Sequence, residues 1–66
     1  MNDDILKGKW HQLKGQAKET WGELIDDDLD KVDGQSERLV GVLQERYGKS
    51  VEEAKQAVER WKEKVA

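Results

Sequence analysis

The chain has 66 residues, a net charge of −3, no cysteine and one histidine, which excludes a disulfide scaffold and leaves too few Cys and His ligands for a protein-built zinc site. Charged residues make up 41% of it and hydrophobic residues 35%, near the boundary between a small fold and disorder, and the three tryptophans favour a fold. Because the longest apolar run, residues 39 to 43, is too short to cross a bilayer and the start shows no export signal, we expect one cytoplasmic domain over residues 1 to 66, with no membrane insertion.

The first predicted helix covers residues 3 to 21. At about 100° per residue, six apolar side chains fall on one narrow stripe, which is typical of a helix packed on a core. They are Leu6, Trp10, Leu13, Ala17, Trp21 and Leu24. Gly8, Gly15 and Gly22 recur every seventh residue on the opposite side. We expect Gly8 to lie in the frayed first turns and Gly22 to end the helix as a left-handed C′ residue.

One flank of this helix is basic, and we name it the basic strip. Its members are Lys7, His11, Lys14 and Lys18. Residues 5 to 18 contain no acid, so a weak, salt-sensitive nucleic-acid-binding module is one functional alternative. We favour a solvated flank that complements the acidic residues 26 to 33, because the net charge is negative and Trp10 and Trp21 lie on the core stripe, away from the lysines.

A short second helix is predicted over residues 26 to 33. Asp26, Asp27 and Asp28 crowd its start, where carboxylates cap free N–H groups and favour the helix dipole. Gly34 is expected to end it. In a calcium loop built around this glycine, leucine, lysine and valine would stand at ligand positions. The acidic run therefore predicts a helix start that faces water, and no metal site.

Two longer helices are predicted over residues 35 to 47 and 50 to 64. The apolar face of the third helix consists of Leu39, Val42, Leu43 and Tyr47. Gly48 is expected to close that helix in the left-handed conformation, and Ser50 followed by Glu53 forms a capping box for the fourth. The predicted buried stripe of the fourth helix consists of Val51, Ala54, Val58, Trp61 and Val65.

The chain contains an internal repeat. A shift of 26 residues lays residues 8 to 22 on residues 34 to 48 without a gap, with five identities and one Trp–Tyr match in fifteen positions. Gly15 and Gly41 are equivalent in this repeat, and capping explains neither. Each costs its helix about 1 kcal/mol relative to alanine. Two explanations stay open. We favour the first, in which the glycines are a spacing inherited with the repeat and tolerated in helices that their core stripes hold. In the second, they allow a partner backbone to approach the outer face closely.

These motifs together resemble the CsbD family of bacterial stress-response proteins, whose pattern is G-x-x-K-E-x-x-G followed by G-x-x-x-x-L-x-G-x-x-Q-x-x-x-G. The matching residues are Gly15, Lys18, Glu19 and Gly22, then Gly34, Leu39, Gly41, Gln44 and Gly48. Ile25 departs from the capping threonine that relatives often carry. The resemblance implies a small all-α bundle of about four helices, arranged as two crossed helical hairpins similar to a SAM domain. It implies a role in the general stress response and no enzyme activity.

Catalytic residues are not expected, because the hydroxyl nucleophiles are limited to Thr20, Ser36 and Ser50 and the only histidine is His11. We expect a non-enzymatic stress-response protein that acts through its surface and needs no cofactor or metal. The candidate surface residues are Lys7, His11, Lys14, Lys18, Gly15 and Gly41. Nucleic-acid binding through the basic strip and a hydrophilin-like protectant role, suggested by the high hydrophilicity and six glycines, are the alternatives. A monomer or weak homo-oligomer is expected.

Overall fold

The structure, a computed structural model, describes residues 2–65 and shows five helices and no strand within them. The helices are α1 (Asp3–Gly8), α2 (Trp10–Thr20), α3 (Asp26–Val32), α4 (Ser36–Tyr47) and α5 (Val51–Val65). This confirms the predicted all-α class, while the SAM-like arrangement of two hairpins stays a prediction. None of the helices in this part of the chain has the length and apolarity needed to cross a bilayer.

The first predicted helix is interrupted at Lys9, so the expectation of one continuous helix over residues 3 to 21 is wrong at this point. Lys9 has φ −107° and ψ 9°; its N–H donates to the Ile5 carbonyl, and its own carbonyl accepts from the N–H groups of Gln12 and Leu13. It therefore ends α1 and caps α2. The break follows Gly8, where the low helix propensity of glycine makes an interruption least costly. The other three helices agree with their predicted spans to within one residue at each end.

The core confirms the apolar stripe predicted for the first helix, since all six of its members are buried. Trp61 of α5 packs against two of them. Its ring centroid lies 6.4 Å from that of Trp10, at an interplanar angle of 80°, and 5.3 Å from that of Trp21, at 56°. The Trp10 Nε1–H donates to the Leu29 carbonyl over 3.0 Å, which joins α2 to α3. The predicted core role of the three tryptophans is therefore confirmed.

The remaining stripes are confirmed with two exceptions at their ends. Leu39, Val42 and Leu43 are buried, as are Ala54, Val58 and Trp61 on α5. Val51, predicted to lie in the core, is 43% exposed because it occupies the first turn of α5, at the edge of the contact with α4. Tyr47 is 38% exposed, and its hydroxyl accepts a hydrogen bond from the Glu23 N–H.

The sequence predicted that the acidic start of α3 faces water, and this prediction is wrong for Asp28. Asp28 is buried, and its two carboxylate oxygens accept from the Arg46 Nε (2.8 Å) and Nη2 (3.0 Å) on α4. The same carboxylate accepts from the Ile25 N–H, so it also caps the helix start where Ile25 offers no side-chain acceptor. The hydrogen bond from Arg46 holds the pKa of Asp28 below its ordinary value, against the opposing effect of burial. One carboxylate therefore fastens α3 to α4.

A second polar contact joins the start of α1 to α4 and α5. The Ser36 hydroxyl donates to Asp3 over 2.6 Å, and Lys62, whose side chain is buried, lies 3.4 Å from the same carboxylate. Asn2 caps α1 by accepting from the Ile5 N–H. Since the Lys62 ammonium still reaches the exposed Asp3, its aliphatic stem covers the core while its charge is neutralised at the edge.

The helix ends confirm two capping predictions and overturn one. Ser50 and Glu53 form the predicted capping box, each side chain accepting from the N–H of the other residue. Gly48 ends α4 in the left-handed conformation, with φ 65°. Gly22 is not left-handed, and the prediction for it is wrong. Trp21 leaves α2 with φ −121° and ψ 85°, and its carbonyl accepts from the Leu24 N–H in a turn that needs no left-handed residue.

Gly34 fills a role that the sequence did not reveal. The left-handed turn after α3 begins at Asp33 (φ 47°) and continues through Gly34 (φ 77°). Gly34 is also buried against α1, and a Cβ placed on it would lie 2.4 Å from the Lys7 Cα. Two conditions thus require glycine here, the positive φ and the close approach of another backbone.

A pair of alanine substitutions separates these two conditions. Gly48→Ala adds a Cβ in the left-handed region with nothing within 4 Å, and we expect it to cost about 1 kcal/mol. Gly34→Ala adds the displacement of α1, so we expect it to cost about 1–3 kcal/mol more. Urea unfolding followed by circular dichroism measures both. Equal losses for the two variants would contradict the close approach of α1 and the turn after α3.

Candidate interaction surface

Part of the basic strip lines a shallow hollow beside α3. Lys7, His11 and Lys14 contribute to its wall, together with Asp30 and Asp33 from the acidic segment, and its volume is 320 Å³. We name this the strip hollow. The structure therefore brings three of the four strip residues together, but it places carboxylates among them.

Two of the lysines are paired with these acids. Lys14 Nζ lies 2.5 Å from an Asp30 carboxylate oxygen, and Lys18 Nζ lies 2.8 Å from one of Asp26. The hydrogen bond to Asp30 raises the pKa of Lys14, and the hydrogen bond from Lys18 lowers the pKa of Asp26. The two ion pairs therefore neutralise the strip where α2 faces α3. Since these side chains are largely exposed, the pairs add little to stability.

The geometry leaves little free positive charge for a phosphate backbone. Within residues 2–65, Lys7 and His11 take part in no ion pair, but Asp30 and Asp33 share their hollow. Trp10 and Trp21 are 6% and 7% exposed, so neither offers a face on which a base could stack. Binding of nucleic acid by the strip itself stays a prediction.

The hydroxyl groups named as possible nucleophiles are engaged in local structure. Thr20 donates to the Gln16 carbonyl, Ser36 donates to Asp3, and Ser50 serves the capping box. In the part of the chain that the structure describes, none of them is hydrogen-bonded to His11, and no group of three or more His, Asp or Glu side chains is placed to hold a metal ion.

A groove of 650 Å³ lies between α4 and α5, and we name it the α4–α5 groove. Val40 and Val58 form its buried floor, and Gly41 and Val51 stand in its walls. Its polar rim consists of Ser36, Glu37, Gln44, Lys55 and Glu59. Of these residues, the sequence named only Gly41 as a candidate surface residue. The groove escaped prediction because Val51 was assigned to the core.

Gly15 and Gly41, the two glycines that capping does not explain, have different surroundings. Both are exposed, and a Cβ on either would meet nothing within 4 Å. Gly41 lines the α4–α5 groove, whereas Gly15 lines neither the groove nor the strip hollow. No contact within residues 2–65 requires glycine at either position.

The two cavities occupy equivalent places in the sequence repeat. A shift of 26 residues carries α2 onto α4 and α3 onto a segment within α5. In this register Lys14 corresponds to Val40, and Asp30 to Gln56. The ion pair at the strip hollow therefore has no counterpart in the groove. The strip hollow carries a charged pair, whereas the α4–α5 groove has an apolar floor.

Comparison with known proteins identifies relatives over nearly the whole chain. A family model described as CsbD-like matches residues 4–65. The UPF0337 protein PA4738 of Pseudomonas aeruginosa is 55% identical over 65 residues, covering 98% of this chain and all of the relative. A UPF0337 protein of Bordetella pertussis is 57% identical over 58 residues, 88% of each chain. The UPF0337 protein YjbJ of Escherichia coli K12 is 46% identical over 61 residues, 92% of this chain and 88% of the relative. No solved structure matches the chain.

Releasing the paired lysines tests how far α3 masks the basic strip. Asp26→Asn with Asp30→Asn frees Lys14 and Lys18, and we expect this double variant to bind duplex DNA at about 20 mM salt, where screening is weak, and to lose it as salt rises. The control, Glu52→Gln with Glu63→Gln, changes the net charge equally on α5. Fluorescence anisotropy of labelled DNA measures binding. Equal affinity of the two double variants would show that the ion pairs do not mask the strip.

Proposed function

Because the chain belongs to the CsbD-like family, we propose that it is a non-enzymatic stress-response protein of bacteria that acts in the cytoplasm through its surface. The stress role rests on the resemblance to the CsbD family, and the relatives from Pseudomonas, Bordetella and Escherichia support the bacterial setting.

The proposal that the protein is not an enzyme rests on one observation: its candidate nucleophilic hydroxyl groups are hydrogen-bonded within the fold. Thr20, Ser36 and Ser50 each make a hydrogen bond that holds a helix or its end. A nucleophile needs a base within hydrogen-bond reach, and the only histidine, His11, lies on the exposed flank of α2 beside Lys14. These side chains are accounted for by the fold.

The surface part of the proposal is supported by the distribution of the apolar residues. The core takes up the stripes of α2, α4 and α5, so the surface left to a partner consists mainly of polar flanks and the grooves between helices, with Ile5 and Ile25 exposed outside them. Of these, the α4–α5 groove combines an apolar floor with a polar rim, which is the usual composition of a recognition site.

The two alternatives make different demands on the same surface. A nucleic-acid-binding module would depend on Lys7 and on the paired lysines of the strip. A hydrophilin-like protectant would depend on overall composition, and single surface substitutions would not affect it. Each alternative therefore predicts a different pattern of variants that lose function.

Complementation of a deletion strain distinguishes these possibilities. We expect survival of osmotic, oxidative and stationary-phase stress to fall on deletion of the gene and to be restored by the wild-type protein. Thr20→Val should restore it, because the Thr20 hydroxyl has no chemical role in the proposal and lies outside the basic strip. His11→Gln changes a strip residue and reports on the strip. Thermal melts confirm that each variant is folded.

The outcomes are separable. Loss of survival with folded Thr20→Val would contradict the non-enzymatic proposal, whereas loss with His11→Gln alone would favour a role of the basic strip. Loss with Lys7→Gln, together with salt-sensitive recovery of nucleic acid on the tagged protein, would favour the nucleic-acid alternative. Full survival of the deletion strain under every stress would contradict the stress role itself.

A further inference from the structure

The α4–α5 groove presents apolar surface that no part of the described chain covers. Val51 stands 43% exposed at its edge, and Val40 and Val58 form the floor between the two helices. Large aliphatic side chains exposed next to an apolar floor are characteristic of contact surfaces between proteins. The groove is therefore a candidate interface.

Gly41 makes this face accessible to another helix. It lies in the interior of α4, where glycine weakens the helix, and no contact within the described chain compensates for that cost. Without a side chain, the α4 backbone can be approached more closely here than beside any other residue type. Gly15 has the same open surroundings but no groove around it, so it separates the effect of a glycine from the effect of the groove.

The rim of the groove carries an acid and a base, so the rims of two copies have complementary charges. Glu37 and Lys55 stand on the rim, and neither takes part in an ion pair within residues 2–65. The third charged rim residue, Glu59, is paired with Lys62. A two-fold axis through the groove would bring Lys55 of each copy towards Glu37 of the other, since residues of an isologous interface contact each other reciprocally.

We propose that the α4–α5 groove is the interface of a weak, two-fold symmetric homodimer, with Gly41 at the closest approach of the two copies. The occupant is a second copy of this chain, because its rim supplies both the acid and the base that the rim of the first copy leaves unpaired. The proposal does not depend on the stress role. The small groove indicates a transient dimer, and a 66-residue domain without disulfides gains stability from such association.

Sedimentation equilibrium across a concentration series tests the proposal. We expect the wild-type protein to dimerise reversibly, and Gly41→Leu to weaken dimerisation at least tenfold by filling the groove. Gly15→Leu is the matched control, because it changes helix propensity equally on an open face, and we expect it to leave the dimerisation constant unchanged. Circular dichroism verifies that both variants are helical.

A charge exchange tests the pairing directly. Lys55→Glu and Glu37→Lys should each weaken the dimer, and the combined variant should restore it, because only the double change recreates opposite charges across the two-fold axis. A wild-type protein that stays monomeric at about 1 mM, a concentration that populates even weak dimers, would overturn the proposal. Equal effects of Gly41→Leu and Gly15→Leu, or failure of the combined variant to recover, would also overturn it.

Discussion

The packing of Trp61 between Trp10 and Trp21 is the contact on which the rest of the fold depends. It joins the end of α5 to both ends of α2, and the Trp10 indole N–H extends the connection to the Leu29 carbonyl on α3. The Trp61 Nε1 is itself buried without a hydrogen-bond partner in residues 2–65, so apolar and aromatic contacts outweigh its desolvation. In a chain with no disulfide, this cluster supplies much of the large apolar area that a small core requires.

Periodicity predicted burial well because burial is a property of one face of one helix. The stripe from Leu6 to Leu24 and the capping box at Ser50 both follow from local spacing, and the structure contains both. The sequence predicted that the basic strip complements residues 26 to 33, and Lys14 and Lys18 do pair with acids there. Other contacts between helices escaped prediction, because they depend on residues far apart in the chain. Asp28 and Arg46 are separated by 18 residues, and nothing in the local pattern distinguishes Asp28 from its exposed neighbours in the acidic run. The glycines show the same limit, since only the three-dimensional approach of α1 explains Gly34.

The repeat shows why the strip hollow and the α4–α5 groove, which occupy equivalent places, differ in character. The same helix register presents a basic flank on α2, neutralised by α3, and an apolar flank on α4 that α5 leaves open. The first surface could be predicted from the sequence, because residues 5 to 18 contain no acid and form a continuous run. The second surface depends on where Val51 lies at the start of α5, and that placement follows from tertiary packing. Gly41 lies in the wall of this second surface.

The most direct test of this account is the stability of Trp61→Ala, measured by urea unfolding and compared with Arg60→Ala, its exposed neighbour on α5. If the tryptophan cluster holds α2, α3 and α5 together, Trp61→Ala should lose about 3 kcal/mol or more, most of the stability of a domain of this size. It should then unfold with little cooperativity, while Arg60→Ala should unfold close to the wild-type midpoint. Cooperative unfolding of Trp61→Ala at the wild-type midpoint would contradict the central place given to this cluster.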